Sequence, residues 1–181
     1  MERGEMSMPT EVTNALAEFC QDYLSKLAHI GHLPSIFTLK LGRPWQPQAL
    51  PANVPRGLRR QCYQNAGMLA LENRELTYVE GYACPPSLIP VHHAWCIDAE
   101  GRVIDNTFDD AANAQYYGVP ISRDKLHELV EHAATWGLFA EQITPELLWA
   151  ALEDVQAGAW PASEPAAEEV RALLRPYLKE T

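Results

Sequence analysis

The stretch HHAWCIDAEGRVIDNTF, residues 92–108, constrains the fold of this chain more than any other part of it. Two segments with β-branched and aromatic residues flank Ala-Glu-Gly, and this pattern predicts a β-hairpin. A three-residue hairpin loop needs one residue in the left-handed conformation, and Gly101 suits that position. We therefore expect Asp98 to pair with Arg102. A loop of two or four residues would shift the parity of the pairing.

The three-residue loop brings His93 and Asp105 onto one face of the hairpin. Side chains alternate along a strand, so Trp95 shares that face and forms the core beneath the pair, whereas His92 points away from it. His93 and Asp105 are diagonal neighbours, about 7–8 Å apart at the backbone, and their side chains can meet. A carboxylate that holds an imidazole fixes its tautomer and keeps it a good base.

Cys62 opens the segment QCYQNAGMLALEN, residues 61–73, whose narrow apolar stripe predicts a helix. A thiol at a helix N-terminus has a lowered pKa, because the helix dipole stabilises the thiolate. With His93 and Asp105 it would complete a nucleophile, a base and an orienting carboxylate. The alternative is a buried structural thiol, since free cysteine is among the most buried residue types.

Residues 62–108 resemble the transglutaminase-like core of the papain-like cysteine hydrolase superfamily. The resemblance is carried by four motifs in order: a cysteine that opens a helix (QCYQNA), a strand with a Gly-Tyr pair (EGYA), a His-Ala-Trp strand (HHAW) and an Asp-x-Thr strand (DNT). It implies an antiparallel sheet packed on the cysteine helix, and acyl transfer through a thioester. In that scheme Cys62 is the nucleophile, His93 the general base and acid, and Asp105 the orienting residue.

Four further residues are candidates for contact with the substrate. We expect Gln61, Tyr82, His92 and Trp95 to line the substrate site. Such enzymes often take an oxyanion-hole side chain from upstream of the cysteine, and the candidates are Gln61, Trp45, Gln46 and Gln48. The backbone N–H of Cys62 is a further donor.

The sequence thus predicts a cysteine-dependent amide or ester hydrolase or acyltransferase: a protease, amidase, deamidase or transglutaminase-like enzyme. Its substrate would be a protein, a peptide or a small amide, and hydrolysis is favoured because water needs no second binding site. The alternative from another class is a catalytically inactive binding or inhibitor protein that uses the same fold to dock on a partner protein. The oligomeric state stays open.

Composition and charge exclude several other classes. The net charge of −10 opposes binding to nucleic acid, and the one basic cluster, Arg56, Arg59 and Arg60, is too short to reverse this. No apolar run approaches the length of a membrane span, and we expect a cytoplasmic protein with reduced thiols. No nucleotide-binding loop is present, and no cofactor is expected.

Two arrangements of the thiols compete with the catalytic interpretation. Zinc bound by His92, His93, Cys84 and Cys96 is disfavoured, because adjacent strand residues point to opposite faces. A Cys84–Cys96 disulfide would need an oxidising compartment. We therefore predict no metal site.

The order of elements predicts an α+β fold in a single domain, residues 1–181. The core would span 56–122 and hold the cysteine helix, a strand at 76–83, the hairpin and a strand at 116–122. An N-terminal helix is expected at 10–29, and a proline-rich, mostly irregular segment at 31–60 with one short strand at 36–42. The C-terminal part, 123–181, would be helical, with a first helix capped by Ser122 and further helices at 143–155 and 163–178.

Overall fold

The computed structural model describes residues 10–86, 89–132, 136–138 and 164–175. These residues form a mixed fold of helices and one antiparallel sheet, which confirms the predicted α+β class. The elements, in chain order, are α1 (Thr10–His29), α2 (Leu33–Leu41), β1 (Arg43–Trp45), α3 (Cys62–Glu72), β2 (Thr77–Cys84), β3 (Val91–Ile97), β4 (Val103–Ile104), a 3-10 helix (Ala111–Asn113), β5 (Gln115–Ile121), α4 (Arg123–His132) and α5 (Glu164–Leu174).

The five strands lie in the order β1-β5-β2-β3-β4. The sheet curls so far that its two edges meet, and the N–H of Val103 donates to the carbonyl of Gln46 over 2.8 Å. Aromatic side chains fill the space that the curl encloses: the rings of Trp95 and Tyr116 meet edge to face at 5.0 Å, and Trp45 Nε1 donates to the carbonyl of Gly118. The curled sheet therefore has its own buried core.

The β3–β4 hairpin has the predicted register. Cys96 pairs with Ile104, and the N–H of Asp98 donates to the carbonyl of Arg102 across the three-residue loop. Gly101 adopts φ +77°, the left-handed conformation that such a loop requires. The second strand ends early, however, because the chain turns away from β3 directly after Ile104.

Helix α3 packs on the outer face of the sheet, as predicted. Its buried residues Ala66, Leu69 and Ala70 recur at helical spacing. The thiol of Cys96 on β3 donates to the carbonyl of Ala66 over 3.2 Å, which ties strand and helix together. The small side chain of Ala66 allows this close approach.

The predicted strand at 36–42 is wrong, because residues 36–41 belong to helix α2 and Gly42 is its C-cap. Its β-branched and aromatic content suggested a strand, but Pro34 lies in the first helical turn, where proline is tolerated. The buried residues Ser35, Thr38 and Leu41 then follow at helical spacing. The proline-rich segment also contains β1, which was not predicted. It is an edge strand, a position where Pro44 is tolerated.

The remaining predicted helices agree where the structure describes them. Helix α1 has the expected bounds, and Ser122 Oγ accepts a hydrogen bond from the N–H of Lys125 at the start of α4. The described part of α4 ends at His132, and the helix predicted at 143–155 lies outside the described residues. None of the described helices is long and apolar enough to cross a membrane.

Candidate active site

His93 and Asp105 form a buried pair at the inner face of the curled sheet. His93 Nε2 lies 2.8 Å from Asp105 Oδ2, and the two side chains are 2% and 0% exposed. Asp105 is the first residue after β4, where the chain turns. The N–H groups of Thr107 and Phe108 donate to its Oδ1, and the hydroxyl of Tyr116 donates to its Oδ2. Four hydrogen bonds therefore satisfy this buried carboxylate.

The imidazole of His93 is also held by aromatic rings. The ring of Phe108 stacks on it, with centroids 4.0 Å apart and planes 18° apart, and Trp95 lies behind it on the same strand face. Because Asp105 occupies Nε2, Nδ1 is the ring nitrogen that faces the remaining partner, Cys62. The orientation of the base is thus fixed by contacts on its edge and on its face.

Cys62 is the first residue of α3 and lies at the open edge of β3. Strand β4 reaches only to Ile104, opposite Cys96, so Ala94 has no β4 partner. The N–H of Ala94 instead forms a hydrogen bond with the sulfur, as does the N–H of Tyr63, and His93 provides a third. The early end of β4 therefore creates the position that the thiol occupies.

The three groups shift one another's pKa values toward an ion pair. Burial alone would raise the pKa of Cys62, but the hydrogen bond and charge of His93, with the N–H groups of Ala94 and Tyr63, bring it below its usual range. Burial would lower the pKa of His93, but Asp105, aided by Cys62, raises it to about 9. The imidazolium in turn holds the pKa of Asp105 below its usual range, against burial. These opposite shifts favour the thiolate–imidazolium pair over the neutral thiol and neutral imidazole.

The predicted substrate-binding residues lie in different places. Gln61 is exposed directly beside Cys62, without a side-chain capping bond. Trp95 is fully buried behind His93. Tyr82 and His92 are register partners on the opposite face of the sheet from His93, where the Tyr82 hydroxyl bonds to His92 Nε2 and to Ser35. The structure therefore brings only Gln61 to the mouth of the site, and the role of all four stays a prediction.

One of the upstream candidates for the oxyanion-hole side chain is buried and already hydrogen-bonded within the fold. Trp45 is buried and its Nε1 donates to the carbonyl of Gly118, whereas Gln46 is exposed and joins the sheet through its backbone carbonyl. The N–H groups at the start of α3, including that of Cys62, have no partner within the helix. The backbone N–H of Cys62 therefore stays a predicted oxyanion donor.

The other thiols are free and buried. Burial and the neighbouring Cys84 raise the pKa of Cys20 to about 12, and burial raises that of Cys96 well above its usual value. Cys84 thus lies beside Cys20, and no disulfide joins it to Cys96. Within the described part of the chain, no group of three or more His, Cys, Asp or Glu side chains is arranged to hold a metal ion.

Sequence reasoning missed two residues of the site: Tyr116, which bonds to Asp105, and Phe108, which stacks on His93. The strand prediction for 116–122 included Tyr116 but gave no sign that its hydroxyl reaches Asp105.

Comparison of the chain with protein-family models, curated proteins and solved structures finds no match. The interpretation of the site therefore depends on its own geometry.

Proposed function

We propose that the protein is a cysteine-dependent amide or ester hydrolase or acyltransferase of transglutaminase-like type. One observation carries the proposal. The buried Asp105 holds Nε2 of His93 at 2.8 Å, while the thiol of Cys62, at a helix N-terminus, bonds to the same imidazole and has a lowered pKa. Perturbed pKa values that arise from a specific charge partner are typical of catalytic sites.

The first half of the reaction transfers the acyl group to the enzyme. The thiolate of Cys62 attacks the carbonyl carbon, and the C=O electron pair moves to oxygen, where the Cys62 N–H stabilises the oxyanion. His93 then donates its Nδ1 proton to the leaving amine or alkoxide as the C–N or C–O bond breaks. The products are a thioester on Cys62 and a neutral imidazole, whose Nε2–H remains bonded to Asp105.

The second half releases the acyl group. The neutral His93 takes a proton from water or from an amine, the resulting nucleophile attacks the thioester carbonyl, and the Cys62 thiolate leaves. Water gives a hydrolase and an amine gives a transferase. We favour hydrolysis, because water needs no second binding site. A protein, a peptide or a small amide would supply the acyl group.

The fold adds support of a more general kind. A helix that begins with the nucleophile and packs on an antiparallel sheet is the arrangement that a papain-like core would have, and α3 packs on β2 and β3 in this way. The order cysteine, histidine, aspartate along the chain agrees as well. A shared fold does not by itself imply a shared function, so the proposal rests on the site.

Acyl-enzyme capture tests this proposal. The protein is incubated with a chromogenic ester, acid-quenched during the first turnover, digested and analysed by mass spectrometry. We expect acylation of Cys62 in the wild type and in Cys96→Ala, a control that removes another thiol, but not in Cys62→Ala or His93→Ala. Added amine then shows by product ratio whether water or amine is the acceptor. A wild type that forms no acyl-enzyme would contradict the proposal and favour the binding protein.

A further inference from the structure

We infer that Asn65 is a positioning residue. It joins residues 58–61, which lead into Cys62, to the turn at residues 105–107, which carries the carboxylate of Asp105. The inference rests on the proposed function, since it assigns Asn65 a role in holding Cys62 relative to His93 and Asp105. Asn65 lies on α3, one turn after Cys62.

The side chain of Asn65 uses both of its polar ends. Its Oδ1 accepts from the N–H of Leu58 at 3.1 Å, and its Nδ2 donates to the carbonyl of the same residue at 2.7 Å. Nδ2 also donates to Thr107 Oγ1 at 2.9 Å. One amide group thus binds the backbone of Leu58, four residues before Cys62, and the side chain of Thr107, two residues after Asp105. We call these three hydrogen bonds the clamp.

The surrounding backbone is shaped to admit this amide. Gly57 passes so close that an added Cβ would lie 2.3 Å from Cγ of Asn65. The N–H of Gly57 donates to the carbonyl of Asn106 over 2.8 Å, so the two loops also meet directly. A residue with a side chain at position 57 would therefore displace the clamp.

The loop that the clamp holds is under backbone strain. Arg60 has φ 63°, a conformation that residues other than glycine rarely adopt. A strained turn next to a nucleophile persists only when the surrounding contacts fix it, and the two bonds from Asn65 to Leu58 do so from one side. Loss of the clamp would let residues 58–61 relax and move the sulfur away from His93. A displacement near 1 Å costs about 10²-fold in a reaction that depends on geometry.

The test measures alkylation of Cys62 by iodoacetamide against pH, together with the free energy of unfolding. The variants are Asn65→Ala, Thr107→Val, the double variant and Thr107→Ser, which keeps the hydroxyl. Asn73→Ala is the matched control, because Asn73 lies at the opposite end of the same helix and also bonds to the backbone, from Nδ2 to the carbonyl of Leu69.

We expect Asn65→Ala to slow alkylation near pH 6 by about tenfold or more. Its pH midpoint should shift toward that of an ordinary thiol. Thr107→Val should shift the midpoint in the same direction, the double variant should be no slower than Asn65→Ala, and Thr107→Ser and Asn73→Ala should match the wild type. Thr107→Val and Thr107→Ser decide the matter if Asn65→Ala does not fold.

Two results would overturn the inference: a wild-type pH profile in folded Asn65→Ala and Thr107→Val, or an equal shift in Asn73→Ala. Failure of the proposed function is a distinct outcome, since Cys62 of the wild type itself would then titrate as an ordinary thiol.

Discussion

The hydroxyl of Tyr116 donates a hydrogen bond to Oδ2 of Asp105 over 2.8 Å, on the same carboxylate oxygen that binds His93. Tyr116 lies on β5, whereas Asp105 follows the edge strand β4. Strands β2 and β3 lie between β5 and β4 in the sheet. The bond therefore crosses the interior of the curled sheet. The position of the Asp105 carboxylate thus depends on the curvature that brings β5 and the end of β4 together.

Replacement of Tyr116 by Phe should lower the free energy of unfolding without changing the reactivity of Cys62. The variant loses a hydrogen bond to a buried charge, which is worth about 1.5–3 kcal/mol of unfolding free energy. Asp105 keeps His93 and two backbone N–H groups, so alkylation of Cys62 should stay close to the wild-type rate. Urea unfolding and alkylation measure the two effects. Tyr117→Phe, a change at the next residue of the same strand on the opposite face, is the control.

Replacement of Asp105 by Asn should affect catalysis far more. The neutral amide no longer favours the imidazolium, so the pKa of His93 should fall and that of Cys62 should rise. We expect the rate of ester hydrolysis to decrease by about 10²- to 10⁴-fold. The pH profile should narrow, because its acid limb moves to higher pH with Cys62 and its alkaline limb to lower pH with His93. A variant with nearly wild-type turnover would show that Asp105 serves structure alone.

The ion pair makes a specific prediction for the pH dependence of stability. The raised pKa of His93 means that the native state binds an extra proton between about pH 6.5 and 9, and this stabilisation is lost as the pH rises. The lowered pKa of Cys62 has the opposite sign, because the native state releases a proton that the unfolded thiol keeps up to about pH 9. The two contributions have opposite signs, so they offset each other where their pH ranges overlap below about pH 9.

The variant Cys62→Ala removes the contribution of the thiol to the pH dependence of stability and leaves that of His93. Relative to the wild type, its unfolding free energy should fall as the pH rises toward about 9, by at most about 1.4 kcal/mol per pH unit. Denaturant unfolding at several pH values measures the slope. Cys96→Ala should keep the wild-type slope, because the Cys96 thiol is protonated throughout this range. Parallel curves for Cys62→Ala and the wild type would argue against the ion pair.

The strain at Arg60 can be measured with two variants that lose the same charge. Glycine adopts a positive φ without penalty, whereas a β-branched residue does not. We expect Arg60→Ile to be less stable than Arg60→Gly by about 1–2 kcal/mol. Equal stabilities in thermal or urea unfolding would indicate that the turn relaxes freely.

The hairpin shows what local sequence can predict. The position of one glycine set the loop length, the loop length set the register, and the register placed His93 and Asp105 on one face. The start of α3 followed from its apolar spacing in the same way. These features depend on residues within a few positions of one another, so pattern and turn chemistry suffice.

The errors and omissions involve contacts between distant segments. Residues 36–42 were predicted as a strand because their composition favours one, but packing of Phe37 and Leu41 against the sheet core selects a helix. The bonds of Tyr116 to Asp105 and of Asn65 to Thr107 join residues 11 and 42 positions apart. No periodicity within either segment reports such a contact, and only the folded structure shows it.

The central claim is that Cys62 and His93 form a thiolate–imidazolium pair. Iodoacetamide labelling of each cysteine against pH, quantified by mass spectrometry in the wild type and in His93→Ala, tests it most directly. We predict that Cys62 is labelled far faster than Cys20, Cys84 and Cys96 near pH 6, and that His93→Ala abolishes this advantage. A Cys62 that stays unreactive, or that titrates in the wild type like a free thiol with a pKa of about 8.5, would contradict the account.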